Sequence, residues 1–409
     1  MGFQQGLSGL NASSTNLDVI SNNISNSSTV GFKGAATQFA DVYANSIYGT
    51  SNLVAGIGTK VAAVAQSFTQ GNITTTNNPL DVAISGDGFF RLSSGGAITY
   101  TRNGQFHLDA NGYLVTNGGQ NVTGYTSLTT NTSGAVTGAS NLGSIHIDLN
   151  NLAPNATSAI SMGVNLNATS PTISGAFNPA DSTTYNYTTS TTVYDSQGGS
   201  HALTYYFTKT ASNTWNVHAT LDGTSGTSVS VSPSTLTFGT DGSLTSSPNL
   251  TITTTGLAPA VNELNIAMNL TGSTQVSSSS GVNSVSQDGY AAGQISSLSI
   301  DNNGIIYGNY SNGLSRPLQQ ILLANFQNAN GLTSIGDNQW VATQAAGAAV
   351  LNAPGSSVAG TLQSGSTEDS NVNLTTELVN LIVAQRQYQA NAQSIKAEDT
   401  ILQTLVNLG

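Results

Sequence analysis

The sequence predicts a mixed, mainly β chain: two β-rich domains, the second inserted into the first, set between terminal α-helices that form a coiled-coil-like pair. Three observations carry this. Apolar residues recur at 4-3 spacing at the two chain ends. Between them, short alternating stretches of Val, Ile, Thr and aromatic residues are punctuated by Asn-Gly and Asp-Gly. The texture also changes near residue 146 and reverts near residue 282.

The first element is a helix over 3–29. Phe3, Leu7, Leu10, Leu17 and Ile24 keep the spacing, Ser14 and Ser21 fill the intervening seam positions, and Ile20 joins the stripe. Its other face is Ser, Asn and Thr, whose side chains compete for the backbone, so the segment is expected to need a partner before it holds as a helix. Gly31 is placed to end it in the left-handed conformation with Phe32 packing back. Residues 33–75 are Gly-rich and weakly periodic and read as an irregular connector.

Strands begin near residue 76. LDVAISGDGFFRL and ITYTRNGQFHLDANGYLVT read as hairpins turned at Asn103-Gly104 and Asn111-Gly112, and 76–145 with 282–369 is assigned to a first β domain. Residues 146–281, richer in Thr and Ser, hold the alternating runs HALTYYFTK and WNVHATL and are assigned to an inserted outer β domain. A hairpin echo recurs as FHLDANGYLV, LTFGTDGSL and LSIDNNGIIYG, at a spacing too irregular for a solenoid.

At the far end Leu374, Leu378, Leu381, Gln385, Tyr388, Ala392, Ile395, Asp399, Leu402 and Val406 keep the 4-3 register. Ile382, Ile401, Leu405 and Leu408 widen that stripe. Residues 1–32 and 370–409 are therefore assigned to a terminal helical assembly domain. The helices could cap a globular core, but two terminal stripes around a β-rich interior favour pairing with other helices. The expected assembly interface is Leu7, Leu10, Leu17, Ile20 and Ile24 facing Leu374, Leu378, Leu381, Ile382, Tyr388, Ile395, Leu402 and Leu405.

Composition excludes several functions. Only 7% of residues are charged, against roughly 25% in typical domains. Eight Lys and Arg in a chain of net charge −11 cannot build a phosphate-neutralising patch, so no nucleic-acid partner is expected. There is no cysteine for a disulfide or thiolate metal site. No apolar run approaches the roughly 20 residues of a membrane span, and no basic, then apolar, secretory leader opens the chain. His107, His146, His201 and His218 are dispersed, with no HExxH or GxSxG pattern. DANG at 109–112 and DNNG at 301–304 resemble the start of a calcium loop, but its closing Glu is replaced by Gln120 and Asn312. No catalytic, cofactor-binding or metal-ligating residues are expected, and no cofactor.

LSGLNASSTNLDVISNNISNSSTVGFKGAATQFADVY (7–43) and SGSTEDSNVNLTTELVNLIVAQRQYQANAQSIKAEDTILQTLVNLG (364–409) resemble the N- and C-terminal signatures of the bacterial flagellar rod and hook protein family. Asn22, Asn23, Gly31, Phe32 and Lys33 carry the first; Thr367-Glu368-Asp369 reads as a small departure in the second. NPLDVAISGDGFFRL and TRNGQFHLDANGYLVT resemble the β domain shared by hook and distal-rod members. The insertion at 146–281 and the overall length fit hook subunits better than rod subunits.

The resemblance implies a structural subunit, not an enzyme, that polymerises with itself into an open helical tube. Such a tube bends as a universal joint and transmits motor torque to the filament. It implies contacts with adjacent axial proteins (distal rod, hook cap, hook–filament junction) and export through the flagellar type III apparatus. An extracellular place in the basal body and hook follows, reached without a cleaved signal peptide. Other readings are a distal rod or hook-associated axial protein, or a secreted β-rich adhesin.

Overall fold

Helix α1 (Gly2–Ser25) and helix α2 (Leu374–Asn407) open and close the chain in the computed structural model, which describes residues 2–42, 58–130, 136–223, 228–257, 261–356 and 358–407. α1 stops short of the expected residue 29. The Asn26 N–H still reaches the carbonyls of Asn22 and Asn23 (3.1 and 3.2 Å), but Ser27, Thr29 and Phe32 bond only three residues back, to Ile24, Asn26 and Thr29. The tighter bonds unwind the last turns. Gly31 is left-handed (φ 71°), but as a turn glycine beyond the helix rather than its cap.

The chain divides into two compact units, the first 1–148, 297–309 and 315–409, the second 149–296 and 310–314. The return from the insertion thus lies later than residue 282. The reason is pairing: strand Gly281–Gln287 runs antiparallel to Ala159–Asn167 inside the second unit.

In the first unit, the segment expected to be irregular holds an antiparallel hairpin. β1 (Ala35–Val42) pairs with β2 (Gly58–Gln66) from Ala35↔Gln66 to Val42↔Gly58, with a bulge at Gln38/Phe39. β3 (Ile73–Thr75) and β4 (Val82–Ser85) follow. The body is a 13-stranded sheet system built around Phe89–Ser94, Ala97–Thr101 and Asn121–Thr130, which the returning strands Ile305–Tyr310 and Ser315–Ile321 extend. The hairpin between the first two turns at Gly95-Gly96 (φ 56° and 92°), and the expected turn at Asn103-Gly104 makes no hairpin, because the next strand, Phe106–Leu108, pairs with Leu114–Thr116. Gly104 instead lets the chain pass β4 closely: its carbonyl accepts the Val82 N–H at 2.9 Å, and an added Cβ would lie 1.7 Å from the Val82 oxygen. Edge-to-face contacts among Phe68, Phe89 and Trp340 pack one side of the sheet.

The hairpin echo is structural. Gly112, Gly242 and Gly304 have φ of 85°, 80° and 77°. Their N–H groups donate to the carbonyls of Asp109, Gly239 and Asp301. Their own carbonyls accept from Ile147, Gln275 and Ile321, each at 2.8 Å. In all three an added Cβ would strike that third segment's carbonyl oxygen, at 2.3, 2.6 and 2.9 Å. Asp109 Oδ1 closes its turn on the N–H groups of Asn111 and Tyr113, and Asp301 Oδ1 on those of Asn303 and Ile305.

The second unit is a two-sheet sandwich, one sheet of six strands and one of four. Alternation decides which side chains enter: Thr214–Leu221 buries every second residue, as do Asn249–Thr255 and Asn265–Asn269. Ile160, Val164, Ile252 and Ile266 from one sheet and Leu203, Phe207, Trp215 and Val217 from the other share one core.

Candidate assembly interface and its anchor

α1 and α2 run antiparallel, with Gly6 against Ile395 and Ser13 against Asn391. An added Cβ on Gly6 would lie 2.8 Å from Ile395 Cγ1, and one on Gly9 would lie 2.9 Å from Asn391 Nδ2. Asn391 Nδ2 donates to Ser13 Oγ at 3.3 Å. Ala12, Ile20 and Ala384 are buried. The α1 side of the seam is therefore made largely by small residues, which bring the backbones close and seat the larger α2 side chains Asn391 and Ile395 against them.

That packing moves half of the expected register. Of the expected 4-3 positions Leu381, Ala392 and Ile395 are half-buried, but Glu377, Ala384, Asn391 and Glu398, one residue before 378, 385, 392 and 399, are half-buried or buried as well. Leu374, Leu378, Ile382, Tyr388 and Leu402 consequently do not bury against α1; Leu378 is 45% and Ile382 52% exposed. On α1, Ile20 is buried, Leu10, Leu17 and Ile24 are half-buried, and Leu7 is 44% exposed. The side chain of Leu405 lies outside the described residues. The helix pair thus carries two exposed apolar ends. One is Leu374, Leu378, Val379, Ile382 and Val383; the other is Phe3, Leu7, Ile401 and Leu402.

The signature residues lie at the root of this pair. Asn23 is buried, and its amide mimics a strand neighbour: Nδ2 donates to the Ala35 carbonyl at 2.8 Å while Oδ1 accepts the Ala35 N–H at 3.0 Å. Asn22 is exposed and Phe32 half-buried. Gly31 passes so close to the chain just after strand Ala97–Thr101 that an added Cβ would lie 2.6 Å from Asn103 N. Lys33 is fully buried; its Nζ donates to Glu368 Oε1 at 2.7 Å and to the Thr69 carbonyl at 2.8 Å. Glu368 Oε2 accepts from Arg102 Nη1 at 3.2 Å, and Oε1 also accepts the Gly71 N–H at 2.8 Å.

Burial pushes the Lys33 ammonium below the ordinary lysine pKa, with Glu368 opposing. It lowers Arg102 likewise, again against Glu368. Asn371 completes the joint: its Oδ1 accepts the Gly34 N–H and its Nδ2 donates to the Ser67 carbonyl, both at 2.8 Å. Sequence reasoning missed Arg102, Glu368 and Asn371. The available signal was that a chain with so few charges keeps Lys33 and Glu368 inside opposite signatures.

This arrangement holds and aligns; it offers no nucleophile beside a base. Among the described residues, no group of three or more His, Asp or Glu side chains could hold a metal ion. A cleft of about 540 Å³ is lined mainly by neutral side chains such as Asn26, Asn103, Gln120 and Asn338. His201 lies between Asp222 (Nδ1 to Oδ2, 2.7 Å) and Asp195 (Nε2 to Oδ2, 3.3 Å) in the second unit. No described helix is long and apolar enough to cross a membrane.

Four family models match: "Flagella basal body rod protein" over 3–33, "Flagellar hook protein FlgE/F/G D1 domain" over 83–173, "Flagellar basal body protein FlaE D2 domain" over 165–290, and "Flagellar basal body rod FlgEFG protein C-terminal" over 363–408. The chain is 45% identical over 415 residues to the flagellar hook protein FlgE of Salmonella typhimurium, covering 100% of both chains. It is 32% identical to that of Borreliella burgdorferi, covering 98% of each. A crystal structure of Helicobacter pylori flagellar hook protein FlgE2 shares the fold, with a TM-score of 0.52 at 16% identity over 71% of this chain and 99% of that one. Full-length similarity at this level, with terminal and β-domain models matched in order, means that the chain belongs to the flagellar hook protein family, as a structural subunit of the hook.

Proposed function

We propose that the subunit polymerises through the exposed apolar ends of its terminal helix pair into an open, flexible tube that carries torque. The observation that carries this is the exposure of the two apolar ends, one formed by Leu374, Leu378, Val379, Ile382 and Val383 and the other by Phe3, Leu7, Ile401 and Leu402, in the single subunit. They differ from each other, so joining one end of a copy to the other end of the next gives a head-to-tail contact that need not close. Each Leu or Ile buried there contributes about 1.5–3 kcal/mol, offset by the entropy of ordering helices that are marginal alone. The weakly charged Ser, Thr and Asn surface of residues 146–281 suits contacts that slide during bending, since such groups exchange partners with water at small net cost.

By family resemblance, the chain leaves the cell through the flagellar type III apparatus without a cleaved signal. It then joins the distal rod, hook cap and hook–filament junction outside the cell. The test is electron microscopy of the purified chain under polymerising conditions. Short curved tubes are expected; straight rods would favour a rod component, and the absence of any polymer would refute the reading.

A further inference from the structure

The C-terminal segment 361–371 is the missing wall of the first unit's base. Among the described strands, β4 has one partner, Thr361–Ser364, and β3 has one, Ser366–Glu368. Val82, Ala83 and Ile84 are wholly buried, and Leu362, Ser366, Thr367 and Glu368 are buried with them. Side-chain bonds reinforce the pairing. Glu368 holds Lys33, Arg102 and the Gly71 N–H, its carbonyl accepts the Gly31 N–H at 2.7 Å, and Asn371 holds Gly34, Ser67 and Thr69. Remove this strap and Lys33 and Arg102 lose their carboxylate, while two short strands lose every ladder bond.

Among the described residues, the second unit shows no such dependence. The strands lining its core all lie within 159–287. Closing the first unit by contrast joins Lys33 to Glu368 across 335 residues. Such closure is entropically costly, and a compact insertion shortens the effective loop.

We propose that docking of 361–371, keyed by Glu368, is the last step in folding the first unit and follows folding of the second. The strap thereby acts as a completeness check: a chain that has not delivered its C-terminal segment cannot close the base from which α1 and α2 project.

Pulse-labelled hydrogen exchange during refolding of the full chain tests this. Peptides covering 203–221 are expected to gain protection first, and peptides covering 73–85 and 361–371 together in a later phase. Glu368→Gln is expected to slow the later phase alone. At equilibrium it should speed exchange of 73–85 by about a hundredfold, as expected for stranded buried cations, with 203–221 unchanged. A variant whose first unit never closes while 203–221 stays protected also supports the proposal. Simultaneous protection of both regions, wild-type exchange of 73–85 in Glu368→Gln, or loss of protection at 203–221 in that variant would overturn it.

Discussion

Glu368 Oε1 lies 2.7 Å from Lys33 Nζ, and both side chains are wholly buried although 335 residues separate them. Glu368 also serves Arg102, so the two ends of the pair are not equivalent. Glu368→Ala strands two buried cations and is expected to cost about 3–5 kcal/mol. Lys33→Met leaves Glu368 paired with Arg102 and the Gly71 N–H and removes a charge that burial already disfavours, so it should cost about 2 kcal/mol less. Urea denaturation followed by exchange of 73–85 measures both; equal losses would contradict the shared-carboxylate arrangement.

Gly31 and Gly119 separate backbone strain from crowding. Both have positive φ (71° and 77°), but an added Cβ meets Asn103 N at 2.6 Å at Gly31 and nothing within 4 Å at Gly119. Gly119→Ala is expected to cost about 1 kcal/mol from strain alone. Gly31→Ala should cost at least twice that, because backbone must move. Thermal melts of the two variants give the comparison.

His201 predicts a pH dependence confined to the second unit. Burial opposes its charge, but Asp222 and Asp195 outweigh burial and raise its pKa above the ordinary value of 6.5. A raised folded-state pKa means the stabilisation is fully present below pH 6.5 and is lost as pH rises through the folded value. Stability of the second unit, read by exchange at 203–221, should fall over that window. His201→Gln should flatten the slope there and leave 73–85 unaffected.

The seam itself predicts an asymmetry. Gly6→Val must push Ile395 aside and is expected to separate the helices, whereas Leu378→Ala removes a side chain that the single subunit leaves exposed. Gly6→Val should lower helicity by circular dichroism in the monomer. Leu378→Ala should leave the monomer's helicity near wild type and raise the concentration needed to polymerise, by about tenfold or more for the loss of one buried Leu.

The helices were legible in the sequence because a 7-residue repeat survives in Leu381 and Ile395 whatever lies between. The second seam row was not, because Gly6, Gly9 and Ala384 make contact by being small, which leaves no apolar signal. The β1–β2 hairpin went unread because Ala35–Val42 and Gly58–Gln66 stay half-exposed or exposed and carry no clean alternation. Strands of the second unit such as Thr214–Leu221 and Asn249–Thr255 were plain by contrast, since each buries one face. The Lys33–Glu368–Arg102 cluster joins three distant segments, and no local pattern foretells such convergence.

Self-assembly through the exposed ends of the helix pair is tested most directly by Ile382→Asp. Its side chain is 52% exposed in the single subunit, so a carboxylate there should leave the fold intact, with exchange at 73–85 and 203–221 unchanged. Sedimentation of the variant under conditions that pellet wild-type polymer is the measurement. The expected outcome is a folded chain that stays in the supernatant; pelleting at wild-type concentrations, with tubes in the micrograph, would rule out assembly through these ends.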